Sequence, residues 1–104
     1  MNNEAIKKIA DTYGYDAQSR QLIEEMAELT VAVNKFYRNI GKPNAKTKVS
    51  LKAQYFITSI IEEIADVIIM LEQMKYLLQI SNEEIDEIIE QKLNRQLERI
   101  GKNE

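Results

Sequence analysis

Apolar residues return at spacings of three and four along nearly the whole chain, and one Pro and three Gly are all that punctuate its 104 residues. Such spacing gathers apolar side chains on one face of a 3.6-residue helix and does not match the strict alternation of a half-buried strand. The fold class expected is therefore all-α, in a single domain covering residues 1–104, since a chain of this length supports one core.

Four helices are predicted. The first runs from about Asn3 to Thr12, with Ile6, Ile9 and Ala10 inward, and stops near Gly14. Asp16 can cap a second that reaches about Asn39, with a core stripe of Leu22, Met26, Leu29, Val33, Phe36 and Ile40, and Gly41 closes it. Residues 41–50 lose the periodicity and read as a loop carrying Lys42, Lys46 and Lys48. The third spans roughly Leu51 to Gln79, with Ile57, Ile60, Ile64, Ile68, Leu71 and Leu78 as its main stripe and Ala65, Ile69 and Met70 on its other sides. Ser81 and Glu84 form a capping-box pattern that opens the fourth, which ends near Ile100 at Gly101. A third helix apolar nearly all round demands burial nearly all round. Four helices of this size cannot supply it alone, so the expected architecture is of four-helix-bundle type, its core completed by homo-oligomerisation.

Absences limit the chemistry. With no Cys and no His, the chain has no disulfide, no thiolate or imidazole zinc site and no histidine triad. Carboxylates, amines, hydroxyls and oxygen-bound metals remain. A net charge of −3 argues against a general affinity for nucleic acid. No apolar run approaches a membrane span, and no leader is visible after Met1, so the expected place is the cytoplasm with no membrane partner.

The segment IEEMAEL from Ile23 to Leu29 returns as IEEIADV from Ile61 to Val67, 38 positions later and on a different helix. With ~100° of rotation per residue, and Met26 and Ile64 each set to zero, Glu25 and Glu63 both fall at about −100°, and Glu28 and Asp66 both at about −160°. Two carboxylate pairs thus flank two apolar stripes in the same way. If the helices pack antiparallel, the pairs converge on one partly buried pocket, which requires protons or cations to offset the charge. An all-oxygen donor set selects Mg2+, with Mn2+ as a substitute, so Glu25, Glu28, Glu63 and Asp66 are the expected metal ligands. On the fourth helix Lys92, Arg95 and Arg99 share one flank of the Ile85, Ile89, Leu93 and Ile100 stripe. They and Lys35 are the candidates for binding phosphate.

EExxE at Glu24, Glu25 and Glu28, followed by ExxD at Glu63 and Asp66, resembles the all-α nucleoside triphosphate pyrophosphohydrolases of the MazG-like superfamily, over nearly the whole chain. The resemblance implies the same four metal ligands, a helical dimer or a dimer-of-dimers tetramer, and Mg2+-dependent release of pyrophosphate from a nucleoside triphosphate. It also implies an extra acid near the metals as general base, a position that Glu24 and Glu62 match. The 34 residues between Glu28 and Glu63 exceed what many members carry. Phosphoribosyl-ATP hydrolysis, performed within the same superfamily, and a non-catalytic helical interaction module are the alternatives.

Overall fold

The computed structural model describes residues 1–42 and 50–103, and the described chain is helical with no strand: α1 is Asn3–Ile40, α2 is Leu51–Leu77 and α3 is Asn82–Asn103. Side chains satisfy the orphan amides at the helix starts. Asn2 accepts from the Ala5 N–H at 3.0 Å and Ser50 from the Ala53 N–H at 3.0 Å. The first two expected helices are one element bent at Gly14, whose φ of 82° and ψ of 170° lie outside the helical region. A residue with a Cβ is strained there, so the glycine sets the bend. Asp16 consequently lies inside the second limb of α1 instead of capping a separate helix. Gly41, at φ 98°, closes α1 by donating its N–H to the Tyr37 carbonyl at 3.0 Å. Most of the expected loop, with Lys46 and Lys48, lies outside the described residues.

The turn from α2 to α3 is fully bonded. Gln79 takes the left-handed region at φ 57°, and the Ile80 N–H returns to the Lys75 carbonyl at 2.9 Å. The expected capping box follows: Ser81 Oγ accepts from the Glu84 N–H at 3.1 Å, and Glu84 Oε2 accepts from the Ser81 N–H at 2.8 Å. The Ser81 backbone and hydroxyl hydrogen bonds hold the Glu84 carboxyl below its ordinary range. Gly101 does not end this helix, which continues to Asn103. Nothing in its own backbone conformation is left-handed, so it acts as an ordinary helical residue.

α1 and α2 form an antiparallel hairpin. Tyr76 donates its hydroxyl to the Asp11 carboxylate at 2.9 Å, with the Lys7 ammonium 5.8 Å from the same ring, and Gln18 Nε2 donates to Gln73 Oε1 at 2.8 Å. The seam contains Gln18, Leu22, Glu25, Leu29, Ala32 and Phe36 of α1 against Ala53, Ile60, Glu63, Val67, Met70 and Met74 of α2, all buried or half-buried. On the angular scale above, both seams centre near about −80°, a rotation of about 60° from the expected stripes. Met26, Val33, Ile64, Ile68, Leu71 and Leu78, expected in the core, are exposed instead, Met26 to 50%. Small Ala32 and Ala53 let the backbones approach, and the buried glutamine pair occupies a layer that the apolar stripe would otherwise fill. In an antiparallel pair, equal angular offsets from the seam point to the same side. The outward apolar faces of both helices therefore form one continuous surface, opposite the side that carries Glu28.

Gln18 and Gln73 satisfy each other inside this seam, where Gln73 is only 1% exposed. Gln73→Leu should leave the Gln18 amide buried without a partner and destabilise the fold by about 1–3 kcal/mol, whereas Gln18→Leu with Gln73→Leu should recover most of that loss. Urea unfolding of the three proteins measures it. A double variant no more stable than the single would mean that the orphaned Gln18 amide is not what costs the stability.

α3 packs against neither α1 nor α2, and of its residues only Ile85 is even half-buried. The chain exposes 8463 Å² of surface and has a radius of gyration of 17.3 Å. A compact monomer of this mass would expose about 6,000 Å² and have a radius near ~13 Å. No described helix is long and apolar enough to cross a membrane.

Candidate metal centre

The rotation of the seam changes the setting of the acids. At about −100°, Glu25 and Glu63 lie only some ~20° from the centre of the seam, inside it and not on its flank. Glu28 stands at the seam's edge. One carboxylate oxygen from each of Glu25, Glu28 and Glu63 lies within 4.8 Å of the others, Glu25 and Glu63 half-buried and Glu28 exposed. Three like charges at that separation repel strongly in a partly desolvated space.

Their hydrogen bonding is incomplete. Gln21 Nε2 donates to Glu25 Oε1 at 2.8 Å, one helical turn away. Oε2 of Glu25 and Oε2 of Glu63 are buried and have no partner. Acceptors hidden from water are costly unless bonded, so each is suited to a cation or a proton. The Gln21 bond favours the charged form of Glu25, but burial and the charges of Glu28 and Asp66 outweigh it, and the carboxyl is pushed above its ordinary value of 4.5. The donor set suits a hard divalent cation: oxygens only, negative, convergent and under-bonded.

Asp66, expected as the fourth ligand, is exposed and stands outside the triad. Its side chain is one methylene shorter than that of Glu28 at the equivalent angle. It reaches Glu25 through its charge. Glu24 and Glu62 are both exposed. Glu62 lines a groove with Lys35, Tyr55, Phe56, Thr58 and Ser59. Lys35 also lines a cavity of about 330 Å³ with Ala27, Glu28, Val31, Ala32, Ser59 and Glu63, so of the expected phosphate-binding cations it is the one beside the acids. Lys92, Arg95 and Arg99 instead line a small pocket on α3 with Gln96, away from the acids, and α3 does not fold onto its own hairpin.

No family model, curated protein or solved structure matches this chain. What the site can do follows from its donors and their surroundings. Two neighbours of the acids escaped the sequence reading. Gln21 was recognisable, since a Gln four residues before a Glu on one helix face is a standard hydrogen-bonding pair. Ser59, which shares the cavity with Glu63 from one turn earlier on α2, had no signal to set it apart from a solvated helix position.

Proposed function

We propose that the chain is a Mg2+-dependent hydrolase that cuts a nucleoside triphosphate between its α and β phosphates, releasing the monophosphate and pyrophosphate in the cytoplasm. The observation that carries this reading is the pair of buried, partnerless oxygens on Glu25 and Glu63 within a triad of carboxylates. The repeated IEExAxx motif, with its resemblance to the MazG-like pyrophosphohydrolases, supplies the reaction class.

Glu25, Glu28 and Glu63 would hold Mg2+, with the charge of Asp66 adding to the negative potential. Bound there, the metal would polarise the phosphates and lower the pKa of an attacking water. Lys35, on the wall of the cavity that Glu28 and Glu63 also line, would offset phosphate charge. Glu62 is better placed than Glu24 to take a proton from water, because its groove shares Lys35 and Ser59 with that cavity. The uncovered apolar face of the hairpin supports a homodimer or tetramer. The same face also favours a second reading, a non-catalytic helical interaction module. Phosphoribosyl-ATP is an alternative substrate for the same acids.

The test is pyrophosphate and monophosphate release from ordinary, deoxy and modified nucleoside triphosphates, with phosphoribosyl-ATP beside them, in Mg2+ and in EDTA. Release should require Mg2+, and Asp66→Asn, which removes a charge neighbouring the ligands, should lower turnover by about 10- to 100-fold. Silence on every substrate, together with a melting temperature indifferent to Mg2+, would leave the interaction module standing.

A further inference from the structure

We propose that Gln21 is a positioning residue of the carboxylate triad: its side-chain amide holds the Glu25 carboxylate in one orientation and so raises the affinity of the site for a divalent cation. This role rests on the metal site of the hydrolase reading. It does not depend on which reaction the metal serves.

The terminal torsion of a glutamate is broad, so a carboxylate on a helix turns freely unless something bonds one of its oxygens. Gln21 lies one turn before Glu25 on α1, where side chains four apart meet on the same face. Its Nε2 donates to Glu25 Oε1 at 2.8 Å. That bond occupies one oxygen and restrains the torsion, and with it the position of the other. The other is Oε2, buried and without a partner. On a solvated helix face a Gln–Glu pair would only support the helix. Here both side chains are half-buried, so water competes weakly for the bond.

The repeated motif places Ser59 where Gln21 stands, one turn before Glu63. Ser59 lines the cavity beside Glu63 but does not bond its Oε2, which has no partner. Of the two glutamates inside the seam, Glu25 is therefore the one braced from its own helix. A ligand ordered in advance loses less freedom when the cation arrives, and hydrogen bonds to ligating carboxylates are how metal sites achieve this.

Mn2+ alone, with no nucleotide, is the probe, and electron paramagnetic resonance of the free ion gives its Kd. Gln21→Met keeps an unbranched side chain of similar helix propensity and loses the donor. It should bind Mn2+ about 10- to 100-fold more weakly than the unsubstituted chain. Gln21→Ala, which also lacks the donor and adds no apolar bulk, should repeat the loss. In a Glu25→Asp background, where the carboxyl is one methylene shorter and withdraws from Gln21, Gln21→Met should change Kd by no more than about twofold. An equal loss in both backgrounds would show that Gln21 acts through the fold and would overturn the proposal. So would unchanged affinity in the single variants, with the unsubstituted chain still binding, and the metal site would then stand without this role. An unsubstituted chain that binds no Mn2+ would remove the metal site and the role together.

Discussion

Glu25→Gln should melt at a higher temperature than the unsubstituted protein in EDTA, yet gain nothing from Mg2+ and release no pyrophosphate. A stabilising substitution that abolishes function is the signature of charges gathered for a cation. Glu25 is half-buried, within 4.8 Å of Glu28 and Glu63, and its Oε2 has no partner. A neutral amide removes the repulsion and still offers Oε1 to Gln21. The relief should be about 1 kcal/mol at neutral pH, the low end of the range for an unsatisfied buried group. In a domain of this size that corresponds to about 4–8 °C.

The pH dependence fixes the sign. The folded carboxyl of Glu25 is raised above its ordinary 4.5, so the native state favours the proton. Its contribution to stability is fully present below the unfolded value and is lost as pH rises through the folded one. In EDTA the two proteins should therefore differ little below about pH 4 and diverge as pH rises, the variant becoming the more stable. Saturating Mg2+ reverses the order, because a metal ligand must be deprotonated, and at a hundredfold excess over Kd it adds about 2.7 kcal/mol to the unsubstituted protein alone. Calorimetric melts at several pH values, with and without Mg2+, measure all of this. A variant that melts lower in EDTA and still responds to Mg2+ would show that Glu25 is structural.

The all-helical class, an interruption near Gly14 and the Ser81–Glu84 box could be read from the sequence because each depends on residues within one or two turns. The triad could be read in part, because the repeated motif fixes the angular relation of its acids whichever face meets the partner helix. The facing itself could not. Apolar residues cover more than half the circumference of α2, so their angular average does not say which part meets α1 and which part faces outward. Gln18, which marks the true seam, looks like a surface residue until it is seen to pair with the buried Gln73. Asp66 was placed with Glu28 by its angle and by the repeated motif, neither of which fixes how far a side chain reaches. The departure of α3 left no local trace, since an amphipathic pattern records that a helix packs but not on which copy of the chain.

Ile64→Lys combined with Ile68→Lys should convert the protein to a monomer and lower its melting temperature by tens of degrees at micromolar concentration. These positions distinguish a monomer from an oligomer because they are exposed within a single chain, to 42% and 41%. Were the hairpin to act alone, two lysines there would change stability by no more than about 0.5 kcal/mol each, the usual range for exposed sites. If a second copy covers the outward face, each ammonium is buried without a partner and costs several kcal/mol, comparable to the whole stability of a small domain. Sedimentation equilibrium should give the unsubstituted chain a mass at least twice its 12.1 kDa, with a melting temperature that rises with concentration. The acid triad must fall with the assembly, because a hairpin with so thin a core of its own cannot hold Glu25, Glu28 and Glu63 together against their repulsion. Mg2+ should then shift the melting of the double variant little. A doubly substituted protein that remained folded, monomeric and Mg2+-responsive would show that the hairpin is sufficient by itself and that its outward apolar face serves another partner.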